Sequence, residues 1–171
     1  MIYKKISDYN VPAVGLGTWE MGGGEQADYS HDRHWITIIR SAIENGLTHI
    51  DTAEMYGNGH TEELVGEAIK GFPRQNLFIT TKVWLTHLRS NDLFSSFEKS
   101  LRQLQTDYID LYLVHHPNPD IPLEETLMAM NRLVEQKRVR AIGVSNFDIS
   151  LIKEAVRISS VPISAVQIEY S

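Results

Sequence analysis

The feature that most restricts the fold is a rhythm. Six short β-rich runs, at residues 13–18, 47–51, 77–83, 109–115, 139–145 and 164–170, start about 25–35 residues apart, the length of one strand plus one returning helix. The run Ile109-Asp110-Leu111-Tyr112-Leu113-Val114 is nearly all apolar instead of alternating, which suits a strand covered on both faces of a parallel sheet. Helical patterns fill the gaps. Leu93, Phe97, Leu101 and Leu104 form one stripe that Asn91 is placed to cap. Pro122 opens the next, with Leu123, Leu127, Met130 and Leu133, and Asp148 caps one carrying Leu151, Ile152 and Ala155. Residues 35–45, closed by Gly46, and 61–70, closed by Gly71, complete five helices. Such alternation predicts an α/β chain.

Two α/β architectures compete, an open doubly wound sheet and a closed barrel, and the polar residues help to separate them. Asp51 ends the second run, Lys82 lies near the end of the third, His115 ends the fourth and Ser145-Asn146 ends the fifth. In a barrel such strand ends converge on one face, where the active site lies; a doubly wound sheet gathers its ligand groups at one switch point. Four consecutive contributions favour the barrel. Each residue also has an ordinary structural role open to it. Asp51 caps a turn equally well, and His115 alone reads more readily as a satisfied core histidine. Lys82, inside Phe78-Ile79-Thr80-Thr81-Lys82-Val83-Trp84, is harder to dismiss. A buried ammonium is costly unless paired, and Asp51 is the nearest carboxylate on the neighbouring strand.

Composition excludes several function classes. A net charge of −6 disfavours nucleic acid or an anionic membrane as the main partner. With no cysteine, disulfides, thiolate metal sites and cysteine nucleophiles are ruled out, which fits a cytoplasmic protein. No apolar segment follows Lys4-Lys5, so no signal peptide or membrane span is expected. Gly15-Leu16-Gly17 starts like a dinucleotide fingerprint, but Glu20 stands at its third glycine position. Gly22-Gly23-Gly24 reads as a mobile loop ahead of a phosphate cradle. His31 and His34 share helical spacing without a third ligand, so no metal site is expected. His115 and His116 are expected on opposite faces if their strand continues.

Five stretches in order form a family signature. Asp51-Thr52-Ala53-Glu54-Met55-Tyr56-Gly57 resembles the Asp-Thr-Ala-x-x-Tyr-Gly stretch of aldo-keto reductases, and Ile79-Thr80-Thr81-Lys82-Val83-Trp84 resembles their third-strand lysine segment. Residues 107–115 are similar to their fourth strand with its histidine, while residues 142–147 and 166–170 are similar to two cofactor-contact segments. The resemblance implies a (β/α)8 barrel reducing aldehydes or ketones with NADPH, NADH staying open. It makes Tyr56 the proton donor, with Lys82, held by Asp51, easing loss of a proton that a phenol ordinarily keeps to near pH 10, and with His115 orienting the carbonyl. Ser145, Asn146 and Gln167 match residues that hold the nicotinamide carboxamide; Gly17, Thr18 and Asp51 match positions beside its ribose and ring. Trp19, Trp84 and His116 match the substrate wall, although one branch of the family carries tryptophan in place of His116.

A barrel of this kind takes about 250 residues. Residues 1–171 are therefore expected to be one incomplete domain of about six strands and five helices, lacking two βα units and the C-terminal loop. Open sheet edges then invite self-association. The alternatives to a small-molecule carbonyl reductase are an inactive fragment and a cofactor-binding regulatory subunit, since the family includes a channel-associated member.

Overall fold

In the computed structural model, which describes residues 2–170, six parallel strands pair in chain order. They are β3 (Leu16–Gly17), β4 (His49–Asp51), β5 (Phe78–Val83), β6 (Ile109–Val114), β7 (Val139–Ser145) and β8 (Ile163–Gln167). Helices α1 (Asp32–Glu44), α2 (His60–Ile69), α3 (Ser90–Leu104), α4 (Leu123–Glu135) and α5 (Ile149–Ile158) return the chain between them. A sheet ordered like its sequence has no reversal point, which excludes the doubly wound alternative. It is also curled. A flat sheet would hold β4 and β8, four strand spacings apart, at about 19 Å, yet Gln167 Nε2 of β8 donates to Asp51 Oδ1 of β4 at 3.0 Å. The sheet is an arc of a (β/α) barrel.

The curl gives each strand an inner and an outer face. Along β5, Phe78 joins the inner cluster with Val11, Leu111, Leu113 and Ala141, while Ile79 and Val83 join the larger outer cluster beneath the helices. All six β5 residues are buried, as are all six of β6, so inner and outer positions are equally buried and the period-two signal disappears.

An antiparallel hairpin, β1 (Tyr3–Ile6) with β2 (Tyr9–Pro12), was not expected. It brings Val11, Ile6 and Tyr9 against the inner cluster. The first expected strand shrinks to Leu16–Gly17 and the last stops at Gln167. Asp148 does cap α5, its Oδ1 accepting from Leu151 N at 2.8 Å. Asn91 does not cap α3, which begins at Ser90; instead Glu125 Oε1, from α4, accepts from Ser90 N at 2.9 Å. The Gly22–Gly24 loop is stitched down: Met21 O accepts from Thr61 Oγ1 at 2.6 Å and Gly22 O from Asp28 N at 2.8 Å.

Two buried carboxylates tie the layers together. Asp110, fully buried in β6, pairs with Arg74 and with Arg140, each at 2.7 Å, and accepts from Ile79 N at 2.9 Å. Glu62 of α2, also fully buried, accepts from Thr81 Oγ1 at 2.6 Å and Ser100 Oγ at 3.1 Å. No cation among the described residues pairs with it, and burial pushes its carboxyl up to about 7. Replacing Asp110 with Ala should cost about 3 kcal/mol of stability in urea unfolding, because two arginines lose one shared partner. Glu62 holds its proton more tightly folded than unfolded, so its contribution is complete below about pH 4.5 and is lost as pH rises through about 7. Glu62→Gln should therefore raise the melting temperature at pH 8 and leave it nearly unchanged at pH 4.

Candidate active site

After β4 the chain keeps running beside β5, with Thr52 N donating to Thr80 O at 2.9 Å and Glu54 N to Lys82 O at 3.3 Å. It then turns sharply. Gly57, Asn58 and Gly59 take φ values of 56°, 53° and 97°, a left-handed run that glycine and asparagine accept most readily. The turn leaves Tyr56 beside the C-terminal end of β5.

There Lys82, 1% exposed, directs its ammonium at three acceptors: Asp51 Oδ2 at 2.7 Å, Thr52 O at 2.8 Å and the Tyr56 hydroxyl at 3.2 Å. His115 follows β6 and is 7% exposed; its ring lies 5.7 Å from that of Tyr56. Burial, then the Lys82 charge, then His116 press its imidazole down to about 3. His115 is thus neutral at physiological pH, and its Nδ1 is buried without a hydrogen-bond partner among the described residues.

Aromatic rings surround this group. Trp19 packs edge-on to Tyr56 at 4.8 Å, and Trp84 meets His115 at 5.1 Å and His116 at 5.5 Å. His115 and His116 do not face apart: their rings stack at 5.1 Å, because β6 ends at Val114 and strand alternation no longer applies. On the other side Asn146, at φ 60°, donates through Nδ2 to His115 O at 2.9 Å and Ser145 Oγ at 3.0 Å. Its backbone N donates to Gln167 O at 3.1 Å, and Gln167 reaches Asp51. Gly17 lies beside open space, since a Cβ there would meet nothing within 4 Å. Thr18 is fully buried, its hydroxyl given to Asp51 O at 3.0 Å.

The structure therefore brings together Asp51, Tyr56, Lys82 and His115, with Trp19, Trp84 and His116 around them and Ser145, Asn146 and Gln167 alongside. Sequence reasoning passed over Glu54, whose carboxylate accepts from Trp84 N and faces His87 Nδ1 at 3.1 Å. The available signal was an unpaired acid between Ala53 and Met55. No three His, Asp or Glu side chains among the described residues gather as metal ligands, and no described helix is long and apolar enough to cross a membrane.

Known proteins resemble this chain in sequence and in fold. The chain is 43% identical over 147 residues to the methylglyoxal reductase YeaE of Escherichia coli, covering 86% of the chain and 50% of the relative. It thus spans half that relative's length. A thermostable aldo-keto reductase crystallised with the inhibitor epalrestat superposes with a TM-score of 0.98 at 55% identity, covering 99% of this chain and 63% of that one. An aldo/keto reductase from Klebsiella pneumoniae, solved with NADP and acetate, gives 0.81 at 42% identity, covering 91% and 52%. The aldo/keto reductase family profile matches residues 13–171, and the chain belongs to that family.

Proposed function

We propose that this chain carries the proton-donating and cofactor-gripping site of a reductase that converts small aldehydes and ketones to alcohols with NADPH. One observation carries the reading: a buried ammonium bonded at once to a carboxylate and to the hydroxyl of a tyrosine packed among aromatic rings. Bound NADPH supplies hydride to the carbonyl carbon. Negative charge then develops on the carbonyl oxygen and calls for a proton.

Two groups stand near enough to give it. His115, pressed to about 3, is neutral and is a hydrogen-bond donor to the carbonyl, not an acid. Tyr56 gives the proton, and the ammonium of Lys82 at 3.2 Å faces the phenolate left behind. Asp51 keeps that ammonium in place, so removal of either member disturbs the other. The same groups serve alcohol oxidation in reverse.

The cofactor side fits a nicotinamide carboxamide. The side-chain oxygens of Asn146 and Gln167 make no hydrogen bond among the described residues, and Ser145 Oγ, accepting from Asn146, keeps its own proton to give. Two acceptors and one donor complement an amide. Gly17, beside open space, and the partly exposed Asp51 border this side, with Thr18 buried behind them. Trp19, Trp84 and His116 suit a small apolar or dicarbonyl substrate, the kind named for the methylglyoxal reductase relative.

The test is NADPH oxidation by the 171-residue chain with an activated aromatic aldehyde. Tyr56→Phe should lower kcat by about 100-fold or more, with an unchanged far-ultraviolet circular dichroism spectrum; NADPH binding without turnover in the parent chain would overturn the reading. Because His115 stays neutral down to about 3, its protonation should remove no activity between pH 5 and 8. An acid limb near 6 that vanishes in His115→Asn would contradict the role given to that ring.

A further inference from the structure

The loop that bears Tyr56 and the segment that bears Trp84 are joined by one side chain that the reaction does not use. Glu54 is 6% exposed. Its backbone N donates to Lys82 O at 3.3 Å, continuing the ladder that Thr52 N begins on Thr80 O. The next rung would need an acceptor for Trp84 N, but the main chain has already turned into the Tyr56 segment. The Glu54 carboxylate takes the place of that missing carbonyl, with Oε1 accepting from Trp84 N and meeting His87 Nδ1 at 3.1 Å. The same residue thus grips both sides of Val83, two positions before Tyr56. Trp84 in turn carries the indole that packs on His115 and His116.

We infer that Glu54 is a positioning residue that sets the substrate-pocket wall: it fixes the Trp84 backbone relative to the Tyr56 turn, and through it the indole against the two histidines. This rests on the proposed reductase site for its kinetic consequence, and on geometry alone for its structural one. A carboxylate accepting from a partly buried backbone amide makes a charge-assisted hydrogen bond, and its removal leaves that amide without this partner. The device is an acceptor, so an amide side chain of the same length retains it and a methyl group does not.

The experiment compares Glu54→Ala, Glu54→Gln and the parent chain in two measurements. In the first, KM for the aromatic aldehyde should rise about tenfold in Glu54→Ala, while kcat falls less than about threefold and NADPH affinity stays within about twofold. Glu54→Gln should return KM to within about threefold of the parent. In the second, independent of turnover, the backbone amide proton of Trp84 in nitrogen-15 spectra should lie far downfield and exchange slowly in the parent. Glu54→Ala should move it upfield and speed its exchange, and Glu54→Gln should largely restore it. An inactive parent chain with this amide pattern overturns the reductase reading and supports the strap. A Trp84 amide that ignores both substitutions, or a KM equally raised by Gln and Ala, overturns the strap. Should Glu54→Ala fail to fold, Glu54→Gln against Glu54→Asp makes the same comparison, the shortened acid being expected to lose the Trp84 contact.

Discussion

Everything at the C-terminal end of this sheet depends on keeping one charge out of water. Lys82 has three ammonium protons and three acceptors within 3.2 Å, so its hydrogen-bonding capacity is filled. A buried ion pair is weak evidence for stability, because the attraction is offset by the loss of hydration. Its value here is geometric. Asp51 stands on β4, Thr52 on the segment just beyond it and Tyr56 in the following turn, and a single cation on β5 holds all three. The Gly57-Asn58-Gly59 turn, the Gln167 link across the arc and the neutral state of His115 all refer back to that cation, the last because Lys82 helps to depress the imidazole.

The strand that carries Lys82 serves two environments. On its outer face Thr81 donates to the buried Glu62 and so joins α2; on its inner face Thr80 meets His49 at 3.2 Å and Lys82 meets the site. Polar groups thus sit on both sides of a strand that is buried throughout. Each has a partner, which is what makes such burial tolerable. The polar side chains of β5 are thus satisfied from both layers.

Much of this was legible in the sequence. Runs recurring at barrel spacing, polar residues at successive run ends and the Asp51-to-Gly57 stretch pointed to the fold and to the four central side chains. What stayed hidden depended on partners distant in the chain. The hairpin of Tyr3–Ile6 with Tyr9–Pro12 turns at Ser7-Asp8, with Ser7 at φ 51°, and carries none of the Asn-Gly chemistry that advertises a tight turn. Helix α3 receives its cap from Glu125, 35 residues further on, so Asn91 drew attention that local reasoning could not correct. Glu54 was overlooked because an acid before a helix looks like ordinary turn chemistry until the Trp84 amide is seen beside it. His115 and His116 stack because β6 stops at Val114, one residue short of the expected run of residues 109–115.

The Gln167–Asp51 bond has a consequence for how the site comes into being. It joins residues 116 positions apart, whereas the Lys82 contacts to Asp51 and Tyr56 span 31 and 26. Closing a longer loop costs more entropy and comes later when other things are equal. Loop-closure entropy alone therefore favours the Lys82 contacts to Asp51 and Tyr56 over the Gln167–Asp51 bond, which also needs the sheet bent far enough to bring its sixth strand round. Loop length alone thus orders the proposed proton-donating group ahead of the proposed cofactor grip.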